Sequence, residues 1–381
     1  MHIIVLEQEP SSRRGGQEVV LFDICRGLAQ RGHSISLLYT KEGNLLSQYR
    51  DFCVHVLEVN RFTVYRKPYI FSFLTDIWKT NWKISTSKDS IVLSNQYQDS
   101  FFGRTLSLYK NIPFVCYLHV PPPKIPPSTF VEWQWNLGVK GVQQFIAVSN
   151  QTKLDWVKSG FSEEKIEVVY NGINLAAYKP SVSLSAIRKE WNIPEDIRVI
   201  SYVGRLDKEK GLETLIKAFA LLLKNGVNAR LLIAGKPLLQ GEEYKKSLDQ
   251  LATDLGIEKY ISFLGHVANT TSVYQVSDVT VLASRWSEPF GRSIIESMAC
   301  GTPMVASRTG GIPESLTGEF QNGLFEPENE QDLSDTLSRI MNWRDKDPKL
   351  GERCREHILS KFTLEKMVDA VEKVLLKVVK Q

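Results

Sequence analysis

Two carboxylates eight positions apart, Glu288 and Glu296, straddle the start of an apolar helix read from Ser293 through Met298 and stopped at Gly301. The first turn of such a helix presents backbone N–H groups and the positive end of its dipole, a setting that suits a phosphate. Glu288 falls in the loop before the helix and Glu296 one turn inside it. One carboxylate can accept hydrogen bonds from sugar hydroxyls and the other from ribose hydroxyls, with a diphosphate at the helix end between them. Taken alone, the pair has the plainer reading of two surface glutamates flanking a helix, so the surrounding elements have to decide.

Those elements repeat. Short apolar runs at residues 2–6, 34–40, 54–59, 90–93, 114–118 and 144–148, then again at 199–203, 230–234, 261–264, 279–282 and 303–306, alternate with helical patterns such as 18–30, 152–158, 212–224 and 242–255. This is the pattern of parallel sheets with crossover helices, present twice. In such sheets ligands bind beyond the carboxyl ends of the strands. Five loops there stand out. Gly15 and Gly16 open a helix, where a backbone can approach a phosphate or sugar closely. His119 follows the run 114–118 and is placed to hold a sugar hydroxyl or orient an acceptor. Arg205 and Lys210 put a planar fork and a point charge near a diphosphate, so they can stabilise a departing nucleotide without a metal. Gly265 and His266 suit the flat edge of a base, and Gly310 with Gly311 opens a further turn. Each has a plainer reading: a tight turn, a core histidine, a solvated charge run in which Asp207, Lys208 and Glu209 face water. The glycine pair is not G-x-G-x-x-G, which argues against a dinucleotide-dependent dehydrogenase.

The chain's 381 residues exceed one ordinary core, so two domains are expected. A turn signal at 170–174, then Pro180 and a Ser-rich stretch to Ser185, marks the linker. The expected organisation is a first domain over 1–175, a second over 176–360 and a terminal helix over 361–381 that returns to the first. Five cysteines without a C-x-x-C pair favour a reduced, cytoplasmic compartment. The opening residues lack a basic n-region, and no run approaches a membrane span. The formal charge is +4, with its excess in 61–88, where Arg61, Arg66, Lys67, Lys79, Lys83 and Lys88 face only Asp76. Interleaved aromatics (Phe62, Tyr65, Tyr69, Phe71, Phe73, Trp78, Trp82) allow two readings: peripheral contact with an anionic membrane, at the inner face of the plasma membrane, or an amphipathic helix with its aromatics in the core. No nucleic-acid module accompanies the patch. The D-x-D string Asp345-Lys346-Asp347 lies far from the strand ends, in what reads as a polar loop, so neither a metal nor a cofactor is expected.

With Gly15-Gly16-Gln17-Glu18, Val203-Gly204-Arg205 before Lys210-Gly211, and Glu288-Pro289-Phe290-Gly291 through Glu296 to Met298-Ala299-Cys300-Gly301-Thr302-Pro303, the chain resembles the retaining glycosyltransferases of family 4, of the bacterial polysaccharide-biosynthesis type, over nearly its whole length. The resemblance implies an α/β GT-B fold, two Rossmann-like domains with parallel sheets facing across a cleft. It implies that Glu288 contacts the donor sugar, Glu296 the ribose, and Arg205 with Lys210 the diphosphate. Gly16 would approach that diphosphate, His119 would lie beside the hexose, and Gly265 and His266 would lie near the base. Backbone groups at Phe290, Gly291 and Arg292 would face sugar hydroxyls, those at Ser293 and Ile294 the phosphates. The implied reaction moves a hexose, UDP-glucose being the leading donor, to a glycan or lipid-linked acceptor in envelope or extracellular polysaccharide assembly. A noncatalytic nucleotide-sugar-binding subunit at the membrane and a sugar-nucleotide epimerase of the same plan are the alternatives. Two positions depart from the family pattern: Val120 where an acidic residue often follows the histidine, and Asn174 where Asp is common.

Overall fold

The computed structural model describes residues 1–64, 66–123, 129–179, 184–237 and 242–380. Tyr65, most of the Pro-rich loop at 121–127 and the linker residues 180–183 therefore lie outside the described residues. The chain divides into two compact units, residues 1–172 with 364–381, and residues 173–363.

The first unit is built on a seven-stranded sheet in the order β3-β2-β1-β4-β5-β6-β7. Its strands are β1 (His2–Glu7), β2 (Ser34–Tyr39), β3 (His55–Glu58), β4 (Ser90–Ser94), β5 (Phe114–Leu118), β6 (Gln144–Ala147) and β7 (Ile166–Val168). All pairs are parallel. Helices cover both faces, so the strands are continuous apolar runs rather than alternating ones; Ile3, Ile4, Val5 and Leu6 are all fully buried. The helix Gly16–Gln30 crosses from β1 to β2, and the helix Asn150–Lys158 starts where Ser149 Oγ accepts from the Thr152 N–H at 3.0 Å. The terminal helix Leu364–Val379 belongs to this unit and packs on Gly16–Gln30. Gly27 makes the approach possible, since a Cβ there would lie 2.7 Å from a methyl of Val368. At the rim, Arg31 bonds Glu372 and Asp369 at 2.6 and 2.5 Å.

The second unit carries a six-stranded sheet, β10-β9-β8-β11-β12-β13. Its strands are β8 (Arg198–Val203), β9 (Ala229–Ala234), β10 (Ile261–Gly265), β11 (Val279–Leu282), β12 (Met304–Ser307) and β13 (Leu324–Phe325), again all parallel. Ile173 and Thr363 form a parallel bridge, and the Ile173 N–H donates to the Phe362 carbonyl at 3.0 Å. The borders of the unit fall at 172/173 and 363/364, where the sequence led to 175/176 and 360/361. The Asn174 side chain accepts from the Ala176 N–H, so this departure from the family pattern still makes an Asx turn.

Within 61–88 the structure separates the aromatics. Phe62 and Phe73 are buried, the latter against Phe101 and Phe102. Along the helix Ile70–Lys83, however, Phe71, Leu74, Trp78 and Trp82 are 77, 54, 64 and 74 % exposed. They recur at helical spacing and form one apolar stripe beside the exposed Lys83. The reading of this helix as having its aromatics in the core therefore holds for only part of it. No helix among the described residues is long and apolar enough to cross a membrane.

Candidate functional site

In each unit the strand order reverses between two neighbours, β1/β4 in the first and β8/β11 in the second, and ligands of doubly wound sheets bind at that switch point. Of the loops singled out in the second unit, those carrying Lys210 and Glu288 leave the carboxyl ends of β8 and β11, while Gly265 with His266 and Gly310 with Gly311 follow β10 and β12. After β8 the chain turns through Lys208–Lys210 to Gly211, whose φ of +65° and close approach to the Ala283 carbonyl, 2.0 Å from where a Cβ would stand, exclude a side chain. Lys210 is thereby pinned beside the end of β11. Gly310, in the loop after β12, plays the same part for Glu288 in the loop after β11: its φ is +57°, a Cβ would lie 2.1 Å from the Glu288 carbonyl oxygen, and the neighbouring Gly311 N–H donates to that oxygen at 2.7 Å.

These two loops bring Lys210 and Glu288, 78 residues apart, into a mostly buried ion pair with Nζ 2.5 Å from Oε2. The same Oε2 accepts from Ser284 Oγ at 2.9 Å and from Trp286 Nε1 at 3.2 Å, and the Lys210 ammonium lies 5.8 Å from the Trp286 ring centre. Three donors on one oxygen fix the carboxylate, and its Oε1, which no described residue binds, remains able to accept a further hydrogen bond. Ser284 and Trp286 belong to the stretch leading to Glu288 that the sequence marks as informative, but the sequence assigned neither of them a role. Arg205 pairs with Asp207 through Nε at 3.2 Å, which makes Asp207 a partner rather than a solvated charge and leaves the two terminal nitrogens of Arg205 without an ion-pair partner among the described residues. The Tyr202 hydroxyl donates to the Arg205 carbonyl at 2.6 Å and steadies this turn.

The helix Arg292–Ala299 begins one residue earlier than the sequence suggested, after Gly291 with φ +80°. Glu296 is held on both oxygens, by the Tyr274 hydroxyl at 2.8 Å and by Arg292 Nε at 3.2 Å. Burial first, then Glu296, pushes the Tyr274 phenol well up, so it remains a donor. The side chains of Phe290 and Ile294 are buried, and the Ile294 N–H already closes a turn on the Gly291 carbonyl at 3.0 Å. Ser293 is partly buried. Gly265 ends the edge strand β10 with φ +65°, and His266 after it is exposed.

In the first unit Gly15 precedes the helix Gly16–Gln30 with φ 175°, ordinary extended backbone. His119 is 9 % exposed, its ring stacked on Tyr117 at 4.8 Å, with Nε2 2.7 Å from Asn95 Oδ1. Burial pulls its pKa down to about 3, so the imidazole is neutral at physiological pH. The Val120 carbonyl accepts from Trp156 Nε1 at 2.9 Å. The D-x-D aspartates sit at a short helix, Trp343–Lys346, rather than in a loop, and are paired with arginines: Asp345 with Arg198, and Asp347 with Arg353 at 2.6 Å.

Residues 14–177 match the family described as Glycosyltransferase Family 4, and residues 185–357 match Glycosyl transferases group 1. The D-inositol 3-phosphate glycosyltransferase of Saccharomonospora viridis is 32 % identical over 214 residues, 55 % of this chain and 49 % of that protein, so the match spans about half the length of that relative. The N-acetyl-alpha-D-glucosaminyl L-malate synthase of Bacillus anthracis is 25 % identical over 94 % of this chain and 93 % of its own. Among solved structures, Anabaena HepE in complex with UDP-glucose superposes with a TM-score of 0.83 at 24 % identity, over 99 % of this chain and 100 % of that one. That likeness is one of fold.

Proposed function

This chain belongs to glycosyltransferase family 4 and has the GT-B fold, and from that premise we propose that it transfers a hexose from a nucleoside diphosphate sugar to an acceptor hydroxyl with retention of configuration. The observation that carries the reading is the fixed Lys210–Glu288 pair with Glu288 Oε1 left to accept from a sugar hydroxyl. In this reading Arg205 and Lys210 stabilise the negative charge that grows on the diphosphate as its bond to the anomeric carbon breaks. The acceptor oxygen bonds that carbon on the same face, and its proton passes to the departing phosphate oxygen. No side chain need act as general base, and no metal is required. Glu296 takes the ribose hydroxyls, Gly265 and His266 lie near the base, and the Phe290-to-Ser293 backbone faces the sugar and phosphates, with the Ile294 N–H spent on the Gly291 carbonyl. Donor contact by Gly15, Gly16 and His119 belongs to the same proposal.

UDP-glucose is the leading donor, a choice supported by the ligand of the similarly folded HepE. Calorimetry of the full chain against UDP- and GDP-sugars tests it: heat with UDP-glucose and none with GDP-mannose is the expected result, and the reverse would replace the donor assignment.

The acceptor is proposed to be a glycan or lipid-linked sugar of the cell envelope, reached at the inner face of the plasma membrane. The exposed stripe Phe71, Leu74, Trp78 and Trp82 beside Lys83 supports this, because aromatics enter the headgroup region while each nearby lysine adds about 1 kcal/mol on an anionic surface. Flotation with phosphatidylglycerol vesicles is expected to fall about tenfold in Trp78→Ser/Trp82→Ser, two exposed positions where folding is spared. Equal flotation would return the stripe to an ordinary surface.

A further inference from the structure

At the carboxyl ends of three neighbouring strands of the first unit stands a polar chain of which the proposed function uses only His119. Glu7 closes β1, Asn95 follows β4 and His119 follows β5. Glu7 and Asn95 are both fully buried. Asn95 Nδ2 donates to Glu7 Oε2 at 2.5 Å, while Asn95 Oδ1 lies 2.7 Å from His119 Nε2. The other Glu7 oxygen accepts from the Glu9 N–H at 3.2 Å.

A neutral imidazole carries one proton, and its position is set by what faces each nitrogen. The Asn95 amide is oriented with Nδ2 toward Glu7 and Oδ1 toward the ring, and above the pKa that burial raises, where Glu7 is ionised and its oxygens can only accept, this is the one orientation allowed. Oδ1 also only accepts. His119 must then hold its proton on Nε2, and Nδ1 keeps a lone pair that no described residue binds. The parallel stack on Tyr117, at 6° between planes, holds the ring itself.

We propose that Glu7 and Asn95 are positioning residues that lock His119 in the Nε2–H tautomer, so that Nδ1 serves as a hydrogen-bond acceptor for a sugar hydroxyl. The inference rests on the proposed function only for the identity of that hydroxyl. Burial, then Glu18 and Asp99, pushes the Glu7 carboxyl well above the usual range, whereas the bonds from Asn95 and Glu9 favour its ionised form. Asp99 beside it is itself raised to about 7 by burial. A protonated Glu7 would tolerate a turned amide and hence the other tautomer. Glu7→Gln, isosteric, permanently neutral and able both to donate and to accept, makes that released state permanent.

The test is a two-bond proton–nitrogen correlation spectrum of the full chain labelled with 15N-histidine, read without substrate. Six histidines are present, and His119→Gln identifies the signal that belongs to position 119. At a pH above the raised pKa of Glu7 the unmodified protein is expected to show a protonated Nε2 and an unprotonated Nδ1. Glu7→Gln is expected to show both tautomers at 119 and a kcat/KM lower by about tenfold. Should Glu7→Gln fail to fold, Asn95→Ala is read in the same way. Nδ1–H in the unmodified protein, or an Nε2–H signal left whole by the variant, overturns the proposal. Because the spectrum needs no turnover, a chain that bound no nucleotide sugar would sink the proposed function and leave this readout standing.

Discussion

Lys210→Ala is expected to lower kcat/KM by roughly tenfold to a thousandfold, about 1.5–4 kcal/mol of lost transition-state stabilisation. The substitution removes the ammonium proposed to meet the departing diphosphate. It also takes the strongest of three donors from Glu288 Oε2, leaving a mostly buried carboxylate on Ser284 and Trp286 alone. Steady-state kinetics with the donor found by calorimetry reads both losses, and a double-mutant cycle with Glu288→Gln separates them. Residues in direct contact couple by about 0.5–3 kcal/mol, so the double variant should fall short of the product of the single effects. Unchanged turnover in Lys210→Ala would remove the diphosphate assignment, and strictly multiplicative effects would remove the pairing as what holds Glu288.

The second large effect comes from a residue that touches no ligand in this reading. Gly310→Ala must place a Cβ 2.1 Å from the Glu288 carbonyl oxygen and 2.5 Å from its nitrogen, at φ +57°. The left-handed backbone alone costs about 1–2 kcal/mol for a residue with a Cβ. The collision adds to this and forces the Glu288 backbone to move. Gly318 supplies the control, since its φ is +64° but nothing lies within 4 Å of a Cβ built there. Gly318→Ala should therefore lose only the conformational part, with a drop in Tm of a few degrees and activity intact. Gly310→Ala should melt lower still and lose at least tenfold in kcat/KM, with Glu288 displaced from Lys210. Equal melting and equal activity in the two variants would mean that the approach of Gly310 to Glu288 does not position the carboxylate.

The α/β class with two parallel sheets was legible because strands buried on both faces are written as unbroken apolar runs, such as Phe114–Leu118 and Val279–Leu282, separated by helical periods and glycine stops. β7 and β13 were not legible. At three and two residues they are too short to carry a pattern, and they exist because a neighbouring strand offers its edge. The segment 61–88 shows the same division between composition and position. Its residue types announced an amphipathic helix, yet nothing local distinguishes Phe73, packed on Phe101, from Trp78, which faces water. Which aromatic is inside depends on where neighbouring helices lie.

The candidate site divides along the same line. The sequence by itself determined the fold class, the family, and the loops at strand ends that carry Arg205, Lys210, Glu288 and Glu296, because motif spacing and strand periodicity are local properties. Only the tertiary structure decided which atoms meet. Lys210 and Glu288 are joined across 78 residues by the adjacency of β8 and β11, and Glu7 reaches Asn95 across 88 because β4 lies beside β1. Glu7 in the chain is merely the polar residue after an apolar run, a position that usually meets solvent. Parallel pairing buries it instead, and a buried carboxylate must find donors, a demand that no stretch of sequence near residue 7 discloses.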